Sequence, residues 1–255
     1  MTALGQVLLT GATGSLGGQL CRELLARTPA TVQCLVRAAD PDHARRRILD
    51  RLGSLDDPLP ATGRRLTAAP VDLAAPLLGL DRDTYDALAQ SITAIVHCAA
   101  EVDLAADYGR LAPANVTPTR QLVSLARRRT ELTGRAPHFH YVSTLGVFLD
   151  ARRAGTEEVD EGTEVSERTS GQLGYPRSKA VSELALRAAA ETDGLPVSVY
   201  RPAFVTGHSR TGRTSSADLL TPCCGRPSPC APRRRRTSSC PRNAWTWWHE
   251  PSPRC

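Results

Sequence analysis

The chain is 255 residues long with a formal net charge of +6, and that charge is confined to one end. Residues 1–220 carry 25 Lys and Arg against 25 Asp and Glu, whereas residues 221–255 carry seven Arg against Glu250 alone. The body is therefore electrically neutral, so the net positive charge is no argument for nucleic acid or an anionic surface as a partner, and no apolar run reaches bilayer-spanning length.

Apolar runs alternate with helical patterns along this body. Strands are predicted at Gln6–Thr10, Thr31–Arg37, Leu66–Leu73, Ala94–Ala100, His138–Gly146 and Pro196–Val205. Helices are predicted at Ser15–Arg27, Pro41–Leu52, Asp83–Ser91, Asn115–Arg129 and Ser178–Thr192. Near-continuous apolar strands in regular alternation with helices specify a parallel sheet covered on both faces, an α/β fold of the doubly wound kind.

The first strand runs into Thr10-Gly11-Ala12-Thr13-Gly14-Ser15-Leu16-Gly17-Gly18. Gly11 suits a tight turn, Gly14 lets the backbone approach a pyrophosphate, and Gly17 lets the helix pack closely against the strand. The helix N-terminus then faces the phosphates. Gly11, Thr13, Gly14, Ser15, Leu16 and Gly17 thus form a candidate dinucleotide phosphate loop, spaced G-x-x-G-x-x-G where the usual fingerprint is G-x-G-x-x-G. At the end of the second strand stands Arg37. In a dinucleotide fold that position meets the adenosine ribose, where an arginine accommodates a 2′-phosphate, so Arg37 favours NADP(H) over NAD(H). Arg45, Arg46 and Arg47 either extend that patch or form a solvated helix face. Asp72, followed by Leu73, closes the third strand, where it bonds an adenine amino group or caps its own loop. The fourth strand ends in His97-Cys98-Ala99-Ala100. Small residues such as Ala99 leave room for a cofactor across the sheet edge, and His97 reads as a packed strand histidine. Asn115 either orients the next helix or holds a water.

The chemistry is concentrated in Tyr175-Pro176-Arg177-Ser178-Lys179. A phenol and an ammonium four residues apart share one helix face one turn apart. A neighbouring cation favours phenolate, so Lys179 is expected to lower the pKa of Tyr175 toward that of a working acid or base. Lys179 is the chain's only lysine, against 31 arginines. A compact ammonium of tunable pKa does here what a guanidinium fork cannot. Ser143 and Thr144 follow the apolar run Phe139–Val142 and emerge where ligands sit in open α/β sheets. Thr144 is the candidate to share a substrate oxygen with Tyr175, with Ser143 in reserve.

These residues together resemble the extended short-chain dehydrogenase/reductases. Within them the chain is similar to the thioester reductase domains that terminate nonribosomal peptide synthetases, polyketide synthases and carboxylic acid reductases. The likeness rests on Val7–Gly18, Cys34–Arg37, Tyr141–Thr144, Gly174–Glu183 and Arg201–Gly212, and it spans nearly all of residues 1–220. The family usually has Asp where this chain has His208 and Asn where it has Cys98. The resemblance implies a Rossmann-type NAD(P)-binding domain, NADP(H) as cofactor, and Thr144, Tyr175 and Lys179 as catalytic residues. It further implies an acyl or peptidyl carrier protein as partner, its phosphopantetheine-bound thioester released as an aldehyde, with further reduction to the alcohol in some relatives. Two alternatives stay open: a nucleotide-sugar epimerase or dehydratase of the same superfamily, and a non-catalytic NADP-sensing protein.

From Thr221 to Cys255 there is no Val, Ile, Leu, Phe, Tyr, Met, Lys or Asp. Such a segment cannot bury a core, and it is expected to be a disordered tail. Its Arg, Pro, Ser, Cys and Trp are what GC-rich codons give out of register, so it reads as a frameshift product that truncates the substrate subdomain. On that reading the chain as written has little reductase activity and binds NADP(H) weakly or not at all. The tail holds five of the eight cysteines, without the C-x-x-C spacing of a zinc site. Cys21, Cys34 and Cys98 lie in apolar elements, as small buried residues of a reducing compartment do. No secretory leader pattern opens the chain, and a cytoplasmic location is expected.

Overall fold

The structure, a computed structural model, describes residues 5–55 and 63–205. Residues 206–212 of the last motif, with His208, lie outside the described residues, as do the boundary at Leu220 and the segment 221–255. The chain divides into two units, Met1–Arg201 and Pro202–Cys255, and all the elements below belong to the first.

Among the described residues there are six strands: β1 (Gln6–Thr10), β2 (Thr31–Val36), β3 (Leu66–Pro70), β4 (Ile92–His97), β5 (His138–Val142) and β6 (Val197–Tyr200). All pair in parallel in the order β3-β2-β1-β4-β5-β6. This is the doubly wound order, in which the chain reverses direction across the sheet between β1 and β4 and opens a crevice at the strands' carboxyl ends. The helices are α1 (Ser15–Arg27), α2 (Pro41–Gly53), α3 (Arg82–Ser91), α4 (Tyr108–Thr133), α5 (Glu167–Ser170) and α6 (Gly174–Asp193). None of the helices among the described residues is long and apolar enough to cross a membrane.

Strand alternation divides the core in two. Leu9 on β1 packs with Cys21 and Leu25 of α1, Ile48 and Leu52 of α2, and Val32 and Cys34 of β2. Its neighbour Leu8 faces the opposite way, among Leu88 of α3, Leu122 and Leu125 of α4, Phe139 and Tyr141 of β5, and Leu186 of α6. Both β1 leucines are fully buried, as a strand central in a parallel sheet requires.

The differences from the sequence-based expectation lie at element ends. Strands β3 and β4 stop at Pro70 and His97, so Asp72, Leu73 and Ala99 stand on the loops that follow rather than on strands. Helix α4 begins seven residues before the expected Asn115 and carries Pro113 and Pro118 inside it. Its true start is the Asp107 cap, whose carboxylate accepts the Arg110 N–H at 2.9 Å. Tertiary packing along α6 overrides the break that proline signals from sequence. The short α5, closed by reciprocal bonds between Ser166 and Thr169, is too brief to carry a periodic signal.

Gly17 is enclosed by the turn, not by the strand: a Cβ there would collide with the carbonyl of Gly11, whereas one at Gly53 would meet nothing within 4 Å. We therefore expect Gly17→Ala to destabilise by about 1–3 kcal/mol through overpacking. Gly53→Ala should be neutral or stabilise by about 0.4–1 kcal/mol. Paired urea denaturation curves check both.

Candidate active site

Gly11 takes φ +77°, and a Cβ on it would lie 2.6 Å from the Ala99 nitrogen. The turn that starts the phosphate loop is thus also the place where β1's exit meets β4's, and only glycine fits both demands. The Gly14 N–H donates to the Gly11 carbonyl at 2.9 Å and Gly14 caps α1 with no side chain in place. Gly14 and Ser15 are exposed, Thr13 and Leu16 half-buried, and the first turn of α1 holds no acidic residue. An uncompensated helix N-terminus with free approach to its N–H groups fits a diphosphate.

Arg37 follows β2 directly and its side chain is exposed. Its carbonyl accepts a hydrogen bond from Arg47 of α2, Arg45 donates to the Leu66 carbonyl at 3.2 Å, and Arg46 is exposed. Of the three helix arginines only Arg47 leans onto the β2 terminus. The Asp72 carboxylate accepts the Ala74 N–H at 3.0 Å, capping its own loop. That loop stores strain: Leu77 and Leu78 both have positive φ (51° and 61°), a conformation branched side chains rarely adopt, and Leu78 is fully buried.

At the far side of the crevice, α6 brings up Tyr175 and Lys179. Lys179 is 2% exposed. Its Nζ donates to the Val142 carbonyl at 2.7 Å and sits 4.4 Å from the centre of the Tyr141 ring. Burial works against its charge, but the phenols of Tyr141 and Tyr175 outweigh burial and hold its pKa above the usual lysine value. Tyr175 departs from expectation. Burial raises its pKa more than Lys179 lowers it, so the phenol keeps its proton over the neutral range. Thr144 caps the short helix Leu145–Phe148 by accepting the Gly146 N–H at 3.1 Å, and its own O–H meets no acceptor among the described residues. Ser143 is drawn away: its hydroxyl donates to Glu183, whose carboxylate also accepts from Arg201 at 2.8 and 3.1 Å.

Glu183 and Arg201 escaped the sequence reading as functional residues. The signal was available, since Glu183 falls four residues beyond Lys179 on the same face of α6, and a charge on a buried face demands a partner. Asn115 orients rather than reacts. Its Nδ2 donates to the Glu101 carbonyl at 3.0 Å and to Ser178 Oγ at 2.9 Å, and its Oδ1 accepts the Glu101 N–H at 2.7 Å. It ties the loop leaving β4 to α6 beside Tyr175. Cys21 and Cys34 are buried with sulfurs 3.9 Å apart, whereas Cys98 is only partly buried.

The sequence profile of the NAD-binding male sterility protein family matches residues 9–226. This chain belongs to that family. It is 40% identical over 216 residues to the isonitrile lipopeptide synthase of Streptomyces coeruleorubidus, covering 84% of this chain and 14% of that protein. It is 36% identical over 215 residues to a linear gramicidin synthase of Brevibacillus parabrevis, covering 84% of this chain and 4% of that one. Among solved structures, the terminal R domain of the myxalamid PKS-NRPS pathway superposes with a TM-score of 0.78 at 38% identity, covering 86% of this chain and 55% of that domain. The chain thus spans about half of that solved reductase domain and a small part of the curated synthases. Its family is one of oxidoreductases that use a nicotinamide cofactor, and the residues of this site fit such a group: the open α1 terminus, the small Ala99, and a buried ammonium beside a phenol.

His97, 1% exposed, is packed between Thr10 (2.7 Å) and Thr119 (3.2 Å). Burial, with the Lys179 charge behind it, lowers its pKa from 6.5 to about 3. The folded state therefore resists protonation that the unfolded chain accepts, so stability present above pH 6.5 is lost as pH falls toward 3. His97→Gln should flatten the loss between pH 6.5 and 4 by about 1.4 kcal/mol per pH unit at most, read from urea midpoints at a series of pH values. An unchanged slope would contradict the assignment.

Proposed function

We propose that this chain carries the catalytic half of a thioester reductase. The reaction is NADPH-dependent reductive release of an acyl or peptidyl group, held as a thioester on a carrier protein's phosphopantetheine arm, to give an aldehyde. NADPH would lie with its diphosphate on the α1 terminus (Gly11, Thr13, Gly14, Ser15, Leu16, Gly17), its 2′-phosphate toward Arg37, its adenine near Asp72 and Leu73, and its nicotinamide half past Ala99 toward Tyr175 and Lys179. When bound it supplies hydride to the thioester carbonyl carbon.

The chain's own residues act on the oxygen. The Tyr175 and Thr144 hydroxyls donate hydrogen bonds to the carbonyl oxygen, stabilising the negative charge that grows there as the carbon is reduced. Tyr175 then gives its proton to that oxygen, forming a thiohemiacetal. Collapse restores the carbonyl, breaks the carbon–sulfur bond, and passes the proton to the departing thiolate, so aldehyde and free thiol leave. Lys179 keeps a positive charge beside the phenol while the proton is away. The observation that carries this reading is the placement of Tyr175 one turn before the buried Lys179 on α6, with the Lys179 Nζ held on the Val142 carbonyl at 2.7 Å at the carboxyl end of β5: a phenol backed by an ammonium can give its proton to an oxygen that gains negative charge. The matching R domain of a PKS-NRPS pathway supports the substrate class.

With a pantetheine thioester and NADPH, Tyr175→Phe should lower the rate about 10²–10⁴-fold while leaving the NADPH Kd unchanged, and Arg37→Ala should weaken NADPH while sparing NADH. Turnover and nicotinamide fluorescence titration check these. A Tyr175→Phe chain at full rate would contradict the proposal, and an altered sugar in place of aldehyde would favour the epimerase alternative.

A further inference from the structure

Arg51, on the last turn of α2, crosses to the phosphate loop. Its Nε donates to the Gly14 carbonyl at 3.1 Å and its second terminal nitrogen to the Ser15 carbonyl at 3.3 Å. The remaining nitrogen reaches Ser54 Oγ at 3.4 Å. Its stem passes over α1 at Gly18, where a Cβ would lie 2.8 Å from Arg51 Cγ and 2.9 Å from its Nε. That explains a feature the loop motif leaves over. Gly17 alone serves the contact with Gly11, and Gly18 is the gap through which the arginine runs.

Gly14 and Ser15 are the two exposed residues at the head of α1, and no side chain caps that end. A planar guanidinium bridging their two carbonyls fixes the orientation of both peptide planes, and with them the N–H groups that point at the ligand side. It also sets a full positive charge beside the positive pole of α1. In the empty site that arrangement repels, and a bound diphosphate relieves it.

We infer that Arg51 is a positioning residue for the cofactor diphosphate, which latches the Gly14–Ser15 turn through the gap at Gly18. This rests on the nicotinamide-cofactor reading of the site. Arg51 acts on the part common to NADPH and NADH, whereas Arg37 stands at the part that differs.

The test is nucleotide titration of the 255-residue chain, wild type against Arg51→Met, Arg51→Lys and Gly18→Ala, together with amide hydrogen exchange over residues 11–18 without ligand. Arg51→Met should weaken NADPH and NADH by the same factor, roughly tenfold, and speed exchange in that segment alone. Arg51→Lys should fall between, since an ammonium cannot bridge both carbonyls in one plane. Gly18→Ala, which favours helix yet displaces the arginine stem, should reproduce the Arg51→Met defect with Arg51 still present. A purely structural role would lower Tm without a nucleotide-independent loss of affinity. Wild-type affinity in both Arg51→Met and Gly18→Ala would overturn the inference, as would a loss confined to NADPH. If the wild-type chain takes neither nucleotide, as the truncation reading expects of the chain as written, the exchange rates over residues 11–18 decide: unchanged exchange in Arg51→Met overturns the latch, and faster exchange confined to that segment supports it.

Discussion

Holding one ammonium inside the protein is the constraint on which this structure turns. An unpaired buried cation costs several kcal/mol, and Lys179 has no carboxylate paired with it among the described residues. It is held instead by the Val142 carbonyl at the end of β5 and by the face of Tyr141. Both partners come from β5, so α6 must lie against the carboxyl ends of the central strands with little freedom to slide. The polar ties elsewhere on α6 serve that placement: Asn115 to Ser178 near its start, and Glu183 to Ser143 and Arg201 one turn beyond the lysine. Tyr175 is carried into the crevice by the same helix, where burial raises its pKa more than the lysine lowers it.

The opposite side of the crevice is built by exclusion of side chains. Strands β1 and β4 leave the sheet side by side, and their exits approach so closely that Gly11 has no room for a Cβ against Ala99. Gly17 and Gly18 repeat the device for the Gly11 carbonyl and the Arg51 stem. Three glycines thus bring α1, β4 and α2 to one point, and the amide groups at the head of α1 stay bare for a ligand. Rigid backbone on one side and a fixed phenol and ammonium on the other are what positioning a dinucleotide across a sheet edge requires.

Most of this is legible in the sequence because it rests on local rules. The strand β1, the glycine turn and α1 can be read to the residue, since apolar run, turn and helix each leave a periodic or conformational mark. The pairing of Tyr175 with Lys179 follows from helical spacing and from the solitary lysine. The remainder depends on distance through space. The role of Gly18 cannot be seen without Arg51, which is 33 positions away and reaches it only because α2 packs beside α1. The loss of Ser143 to Glu183 is likewise a long-range event, and it favours Thr144 as the hydroxyl left for a substrate. The direction of the Tyr175 shift runs opposite to the sequence-based expectation because a neighbouring charge can be read from spacing, whereas burial depends on the whole fold.

Transfer of hydride to a thioester carbonyl carbon is the central claim. It is tested most directly by single turnover with the chain in excess, using NADPH deuterated at the transferring position of the nicotinamide and an acyl pantetheine thioester, with mass analysis of the product. The expected product is an aldehyde one mass unit heavier than the unlabelled one, with the deuterium on the former carbonyl carbon and one free thiol released per aldehyde. Thiol released without a deuterated aldehyde, or label retained wholly on the nucleotide, would contradict it.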